Sequence, residues 1–293
     1  MKKIGLIAMP LLAVALLTNC NKSNWWDHTD QLTEADIGKI ETITVNNQNH
    51  RVRLIDVDHD VLSNDTSKTA HCTFEFSNLL SDSYGYSLAT LWNTTNGNSS
   101  KNYDYLNSDL RVALDGSGDV RWYQKGSGTK STNYKDSVIK MLPDGIQKNI
   151  KTVKKEVAIT SKYSITSYVA KVFVLTYNET TKNRDWHAKE EGTTYQYYKD
   201  HDDYVSRIKQ QVKGQVDAAH DKTNITDLGY EGAYNYAGYN DNYAAFYGGF
   251  YWLTSPYTDN TESAWYVCGN GTFDNVASRI YYGAYAIAPA FCI

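Results

Sequence analysis

Cysteine is scarce in this chain of 293 residues: four occur, at 20, 72, 268 and 292. Cys268 and Cys292 form no CxxC pair and have no histidine nearby, so they are not a metal pair. The seven histidines, at 28, 50, 59, 71, 187, 201 and 220, include no HExxH or comparable ligand spacing. A G-x-S-x-G elbow is also missing, although a Ser-His-Asp set assembled by folding stays open. The chain has no concentrated basic face, and its formal net charge is -4, which argues against nucleic acid as a partner. Neither an internal repeat nor a domain break is visible after the first 35 residues. Phenylalanine is sparse, at 7, whereas tyrosine reaches 25. Tyrosine in that excess suits strands and wet binding surfaces, because one side chain offers apolar area and a hydroxyl together.

What is present begins with Met1-Lys2-Lys3 and an apolar run from Ile4 to Leu17. A basic start and an apolar stretch of that length are the parts of a signal peptide. As a helix the run would rise about 21 Å, short of a hydrocarbon layer of roughly 30 Å. It ends Leu17-Thr18-Asn19-Cys20, which resembles a bacterial lipobox with Cys20 as the lipidated residue. The match departs at Asn19, where that pattern takes Gly, Ala or Ser; the alternative is an ordinary signal peptide with an incidental cysteine. Residues 1–19 are therefore expected to be a leader, 20–35 a lipidated polar tether, and 36–293 a single domain. An acyl anchor of this kind would hold the protein on the outer face of a membrane without a span.

Within the domain, Ile37 to Asp58 alternates apolar and polar residues around Asn46-Asn47-Gln48-Asn49, the pattern of a hairpin. It buries Val52, Leu54 and Val57 and turns Arg51 and Arg53 outward. Cys72 to Phe76 has the same period. Residues 79–100 read as a long loop. Leu106, Leu110 and Leu114 recur every four residues and predict a helix over 103–114. A second helix or helix pair spans 135–148, broken at Pro143-Asp144-Gly145. Lys148, Lys151, Lys154 and Lys155 read as the solvated face of one helix. Residues 152–159 and 169–177 look extended, and Val172 to Leu175 form a buried-strand run. A third helix is expected over 197–219, with Tyr204, Ile208, Gln211, Val212 and Val216 on one face. Residues 228–250 are rich in Gly, Tyr, Asn and Ala and carry no helix period. From Tyr251 onward, short aromatic and β-favouring runs are separated by turn residues, so the chain closes in strands.

The order of these pieces resembles domain of unknown function 6273. IGKIETITVNNQNHRVRLIDVD looks like that family's G-x-x-I…W-R-V-L-D-V-D opening. Asn107 to Leu114 is similar to its S-x-L-R-x-x-L, and Lys171 to Glu179 to its K-V-F-L-L-S-x-x-E. Tyr251-Trp252-Leu253-Thr254-Ser255-Pro256 looks like Y-W-L-R-S-P, and Ala288-Pro289-Ala290-Phe291 like R-P-A-F. The chain departs at Thr254 and Ala288, where the family has arginines, and at His50, where it has an aromatic. The resemblance brings no assigned activity. Its ending resembles the C-type-lectin-like fold, so the expected class is α+β: mixed and antiparallel sheets, about three helices and long Tyr/Asn/Gly-rich loops.

The residues support a binding or adhesion module on the cell surface, taking an extracellular glycan or protein. Its contact candidates are Tyr239, Tyr243, Tyr257, Tyr281, Tyr282 and Tyr285, while Trp252 and Trp265 belong to the core. Cys268 and Cys292, both in terminal strands of an exported chain, are the favoured disulfide pair. No cofactor, metal or catalytic set is expected. Asp115 to Asp119 resembles part of a calcium loop but lacks its spaced carboxylates and terminal Glu. Asp200 to Asp203 reads as the solvated start of a helix. The alternatives are a cell-envelope enzyme, either a hydrolase or a copper-dependent oxidase using Cys268 and Cys292, and a structural envelope lipoprotein.

Overall fold

The computed structural model describes residues 25–81, 88–92, 105–123, 135–159, 164–181, 190–200, 251–257, 263–267, 273–274 and 285–293. The leader, Cys20, Cys268, the contact candidates Tyr239, Tyr243, Tyr281 and Tyr282, and the third-helix face from Tyr204 to Val216 lie outside them. Within them the class is α+β, with mostly antiparallel sheets and short helices.

Strands β1 (Ile40–Val45) and β2 (Gln48–Val57) form the expected hairpin. Asn46 and Asn47 both have positive φ, 52° and 61°, the conformation a two-residue turn needs to match strand twist. β2 pairs with β3 (Cys72–Phe76), and a bulge at Ile55 sets Leu54 opposite Phe74 but Asp56 opposite Thr73. The extra residue turns Asp56 onto the face that carries Arg53. That face is not solvent: helix α5 (Gln196–Asp200) lies over it. Arg53 is therefore buried, its guanidinium 4.4 Å from the centre of the Tyr197 ring, which corrects the outward placement read from alternation alone.

The first sheet runs β1-β2-β3-β12-β7, with β7 at Val172–Phe173 and β12 at Ala290–Cys292. A chain segment near residue 291 thus becomes an inner strand between two much earlier ones. The second sheet runs β10-β9-β8-β11-β4 (Phe273–Asp274, Ala264–Val267, Tyr251–Pro256, Tyr285–Ala286 and Ala89–Thr90). Only β11 and β8 pair in parallel there. Ile287, Ala288 and Pro289 carry the chain from the second sheet to the first, and Leu80 and Phe76 bind the Ile287 and Pro289 carbonyls at 3.1 and 2.8 Å. β4 is a buried strand inside the stretch read as loop.

The helix around Leu110 is shorter than its repeat suggests. α1 (Asp109–Asp115) starts at Ser108, whose hydroxyl accepts the Arg111 N–H, and stops at left-handed Gly116. The Asp115 carboxylate takes the Ser117 N–H and the Arg111 guanidinium, ordinary partners at a helix end. The proline-broken pair is α2 (Val138–Met141) and α3 (Asp144–Asn149). Strands β5 (Val153–Ile159) and β6 (Ser164–Ala170) form a separate ribbon. One apolar core joins both sheets, the ribbon and the helices, with Trp92, Trp122 and Trp252 fully enclosed.

Candidate functional site

Lys154 and Lys155 are on a strand, not a helix. β5 alternates Val153 in, Lys154 out, Lys155 in, Glu156 out, Val157 in, so the period of two drives Lys155 into the core. A buried ammonium must be neutralised and hydrogen-bonded or it would lose its proton. Three groups meet it. Lys155 Nζ donates to Asp60 Oδ1 at 2.8 Å, Glu179 Oε1 at 2.5 Å and the Tyr195 hydroxyl at 2.7 Å. It also sits 4.2 Å from the centre of the Phe173 ring.

Each partner is held from elsewhere in the fold. Asp60 follows the tight turn after β2 and accepts the Thr73 hydroxyl at 2.6 Å, the Tyr195 hydroxyl at 2.9 Å and the Cys292 thiol at 3.4 Å. Glu179 belongs to α4 (Tyr177–Thr180), where it completes a capping box: its Oε2 takes the Thr176 N–H while Thr176 Oγ1 takes its own. Gly192 passes so close that a Cβ there would lie 2.8 Å from Glu179 Oε1, and its φ of +71° suits glycine.

Burial alone would raise the Asp60 carboxyl, but the Lys155 charge and hydrogen bond outweigh it and hold the group below the usual carboxylate range. Burial likewise would strip the Lys155 proton; Asp60 and Glu179 reverse that and raise it. Burial, and then the Asp60 charge, push the Cys292 thiol and the Tyr195 hydroxyl well up. Cys292 is thus a free thiol and a hydrogen-bond donor in this structure, not a thiolate nucleophile. Its expected partner Cys268 lies outside the described residues. Chemically the arrangement locks an ammonium between carboxylates. It ties β2, β3, β5, β12, α4 and the start of α5 together, and offers no free base or nucleophile.

A second carboxyl sits alongside. Glu191, fully buried, accepts the Ala158 N–H at 2.6 Å and shares a short hydrogen bond with the Ser255 hydroxyl on β8. Ser255 Oγ accepts the Tyr177 N–H in turn at 2.8 Å. Burial first, and then the Glu179 and Glu156 charges, push Glu191 up to about 8.

The second sheet carries the rings. Trp252 donates its indole N–H to the Thr90 carbonyl at 2.9 Å and stacks on Tyr285 at 4.5 Å. One residue along each strand, on the opposite face, Trp265 meets Tyr177 at 4.5 Å and Tyr257 at 5.6 Å. Both tryptophans are core, as the sequence indicates, and Tyr257 and Tyr285 are each half-buried. The two described contact candidates therefore stand on opposite faces of one sheet, not side by side.

The motif residues converge here: Glu179 closes the third motif of the sequence, and Ser255 precedes the proline of the fourth. A family model described as Domain of unknown function (DUF6273) matches residues 78–293. The chain belongs to that family. No curated protein and no solved structure matches it. Within the DUF6273 match lie Lys155, Glu179, Glu191, Tyr195, Ser255 and Cys292; Asp60 and Thr73 precede it, so the buried cluster and the first sheet bind the preceding segment to the family domain. At the two positions where the resemblance places arginines, Thr254 and Ala288 are buried, and the Thr254 hydroxyl has no partner among the described residues.

Sequence reasoning missed the Lys155 cluster. The signal was available: Val153-Lys154-Lys155-Glu156-Val157 places a lysine in phase with two valines, and Thr176-x-x-Glu179 is a capping box straight after a buried strand. Among the described residues no His, Cys, Asp and Glu grouping could hold a metal, and no helix is long and apolar enough to cross a membrane.

Proposed function

We propose that the chain is a cell-surface lipoprotein, anchored through Cys20, whose DUF6273 domain binds an extracellular glycan or protein on a C-type-lectin-like plan. One observation carries the reading: Tyr257 and Tyr285 are each part-exposed and each backed by a fixed, buried tryptophan. A ring seated this way has little rotamer freedom left to lose, so contact with a sugar face or an apolar side chain costs little entropy. The richest group of ionisable side chains, by contrast, is sealed and fully engaged, which suits a scaffold more than a reaction centre.

The test is a glycan array and a surface-protein pull-down with the purified chain, repeated with Tyr257→Ala and Tyr285→Ala. Retained binding in the wild type with at least a tenfold loss in one variant supports the reading; blank arrays and an empty pull-down overturn it. Cys20→Ser is expected to release the protein from the membrane fraction into the medium. Unchanged retention of that variant removes the anchor.

A further inference from the structure

The turn after β2 brings a third polar group to the surface, apart from the sealed cluster. His59 Nδ1 lies 2.8 Å from Asp56 Oδ2, and His59 Nε2 lies 3.1 Å from the Thr193 hydroxyl. Asp56 accepts, so in the neutral ring Nδ1 carries the proton and Nε2 is left as the acceptor facing Thr193. The carboxylate is itself fixed: Oδ1 takes the Val57 N–H at 2.9 Å and Oδ2 takes the Gln196 N–H at 2.8 Å. The imidazole packs against the Tyr195 ring at 4.3 Å, so its plane is set from a second side. The His59 side chain is 15% exposed and the Asp56 side chain 10%, whereas Thr193 is exposed. An oriented base with an accessible hydroxyl on its free nitrogen is the arrangement that activates an alcohol.

We propose that Thr193, His59 and Asp56 form an acyl-transfer site whose substrates are small carboxylic esters. Thr193 Oγ1 adds to the ester carbonyl carbon as His59 Nε2 takes the hydroxyl proton. The adduct collapses with cleavage of the bond to the alcohol oxygen, and His59 returns that proton to the departing alkoxide. Water, deprotonated by the same nitrogen, then attacks the acyl-threonine; the carboxylic acid leaves, and Thr193 regains its proton. Thr193 and His59 are the catalytic residues, and Asp56 is a positioning residue acting through the imidazole. Esters suit a site this open, since their carbonyl reacts without deep enclosure. The inference goes beyond the binding reading and stands without it.

The experiment is covalent labelling of the full purified chain with a fluorophosphonate, which reports an activated hydroxyl directly, followed by peptide mapping. One adduct on Thr193 is expected, with fluoride as the leaving group. Thr193→Val, at an exposed position, abolishes it, and Thr193→Ser retains it. His59→Gln slows labelling by about 100-fold or more, the scale of a general base. Asp56→Asn slows it as well, and Asp56→Glu regains part of the rate, which loss of a structural contact alone would not produce. Absence of an adduct on Thr193, or equal rates in wild type and His59→Gln with unchanged circular dichroism, overturns the proposal.

Discussion

The Lys155 cluster and the tryptophan-bearing sheet stabilise the same molecule by opposite means. In the cluster every charge depends on a named partner, and removing one strands the others in a medium that cannot solvate them. In the sheet, area contributes most: among the described residues Trp265 is enclosed although its indole N–H finds no acceptor, and Thr254 is enclosed although its hydroxyl finds none. Ring burial offsets a lost hydrogen bond, whereas nothing nearby offsets a lost countercharge. Polar groups therefore fix which segments meet, and aromatic area supplies tolerance.

The largest expected break in that contrast is Lys155→Met. It leaves Asp60 and Glu179 facing each other without a cation, and chemical denaturation should show a loss of about 5 kcal/mol, the upper end for an uncompensated buried charge. A smaller loss in Lys155→Met combined with Asp60→Asn would confirm that the stranded carboxylate, not lost packing, is the cause.

Glu191 gives the next effect, through pH. Its folded value near 8 lies above the ordinary 4.5. Below about 4.5 it is protonated in both states, and its full contribution is present. As pH rises from there to about 8, the unfolded chain releases this proton while the folded chain keeps it, so stability falls; above 8 the loss is complete. The total is at most about 5 kcal/mol, read as the difference between wild type and Glu191→Gln across that window. A flat difference would show that Glu191 is ionised where it lies.

The two tryptophans sharpen the comparison inside one sheet. Trp252→Phe leaves the Thr90 carbonyl without its donor and should cost about 2 kcal/mol. Trp265→Phe breaks no hydrogen bond among the described residues and should cost about 1 kcal/mol, from lost area alone. Equal losses in thermal melts would mean that the Thr90 contact contributes nothing. The smallest effect belongs to Tyr285→Leu, a half-buried ring replaced by another apolar side chain, at about 0.5 kcal/mol.

The sequence made the hairpin at 46–47, the proline break at 143 and the closing strands legible, because each rests on local chemistry: paired Asn residues in the left-handed region, a ring without a donor, and a period of two. Arg53 and Lys155 were misplaced for a different reason. Alternation tells which residues share a face but not what covers that face, and α5 arrives over β2 from some 140 residues further along the chain. Lys155 also sat in a run of lysines whose spacing mimics a helix face, and only the flanking valines give the strand away. Glu191 carried no local signal at all: its role is set by Ala158 and Ser255, neither adjacent to it in sequence.

The position of β12 has a consequence for timing. Thr73 and Cys292 touch across 219 positions, and β12 separates β3 from β7 in the finished sheet. Until residues 290–292 have been synthesised, two edges that are destined to be interior stay open, and Asp60 waits without one of its donors. Closure of the first sheet therefore depends on pairings distant in sequence and comes only once the β12 segment is at hand, which makes it a slow step of folding.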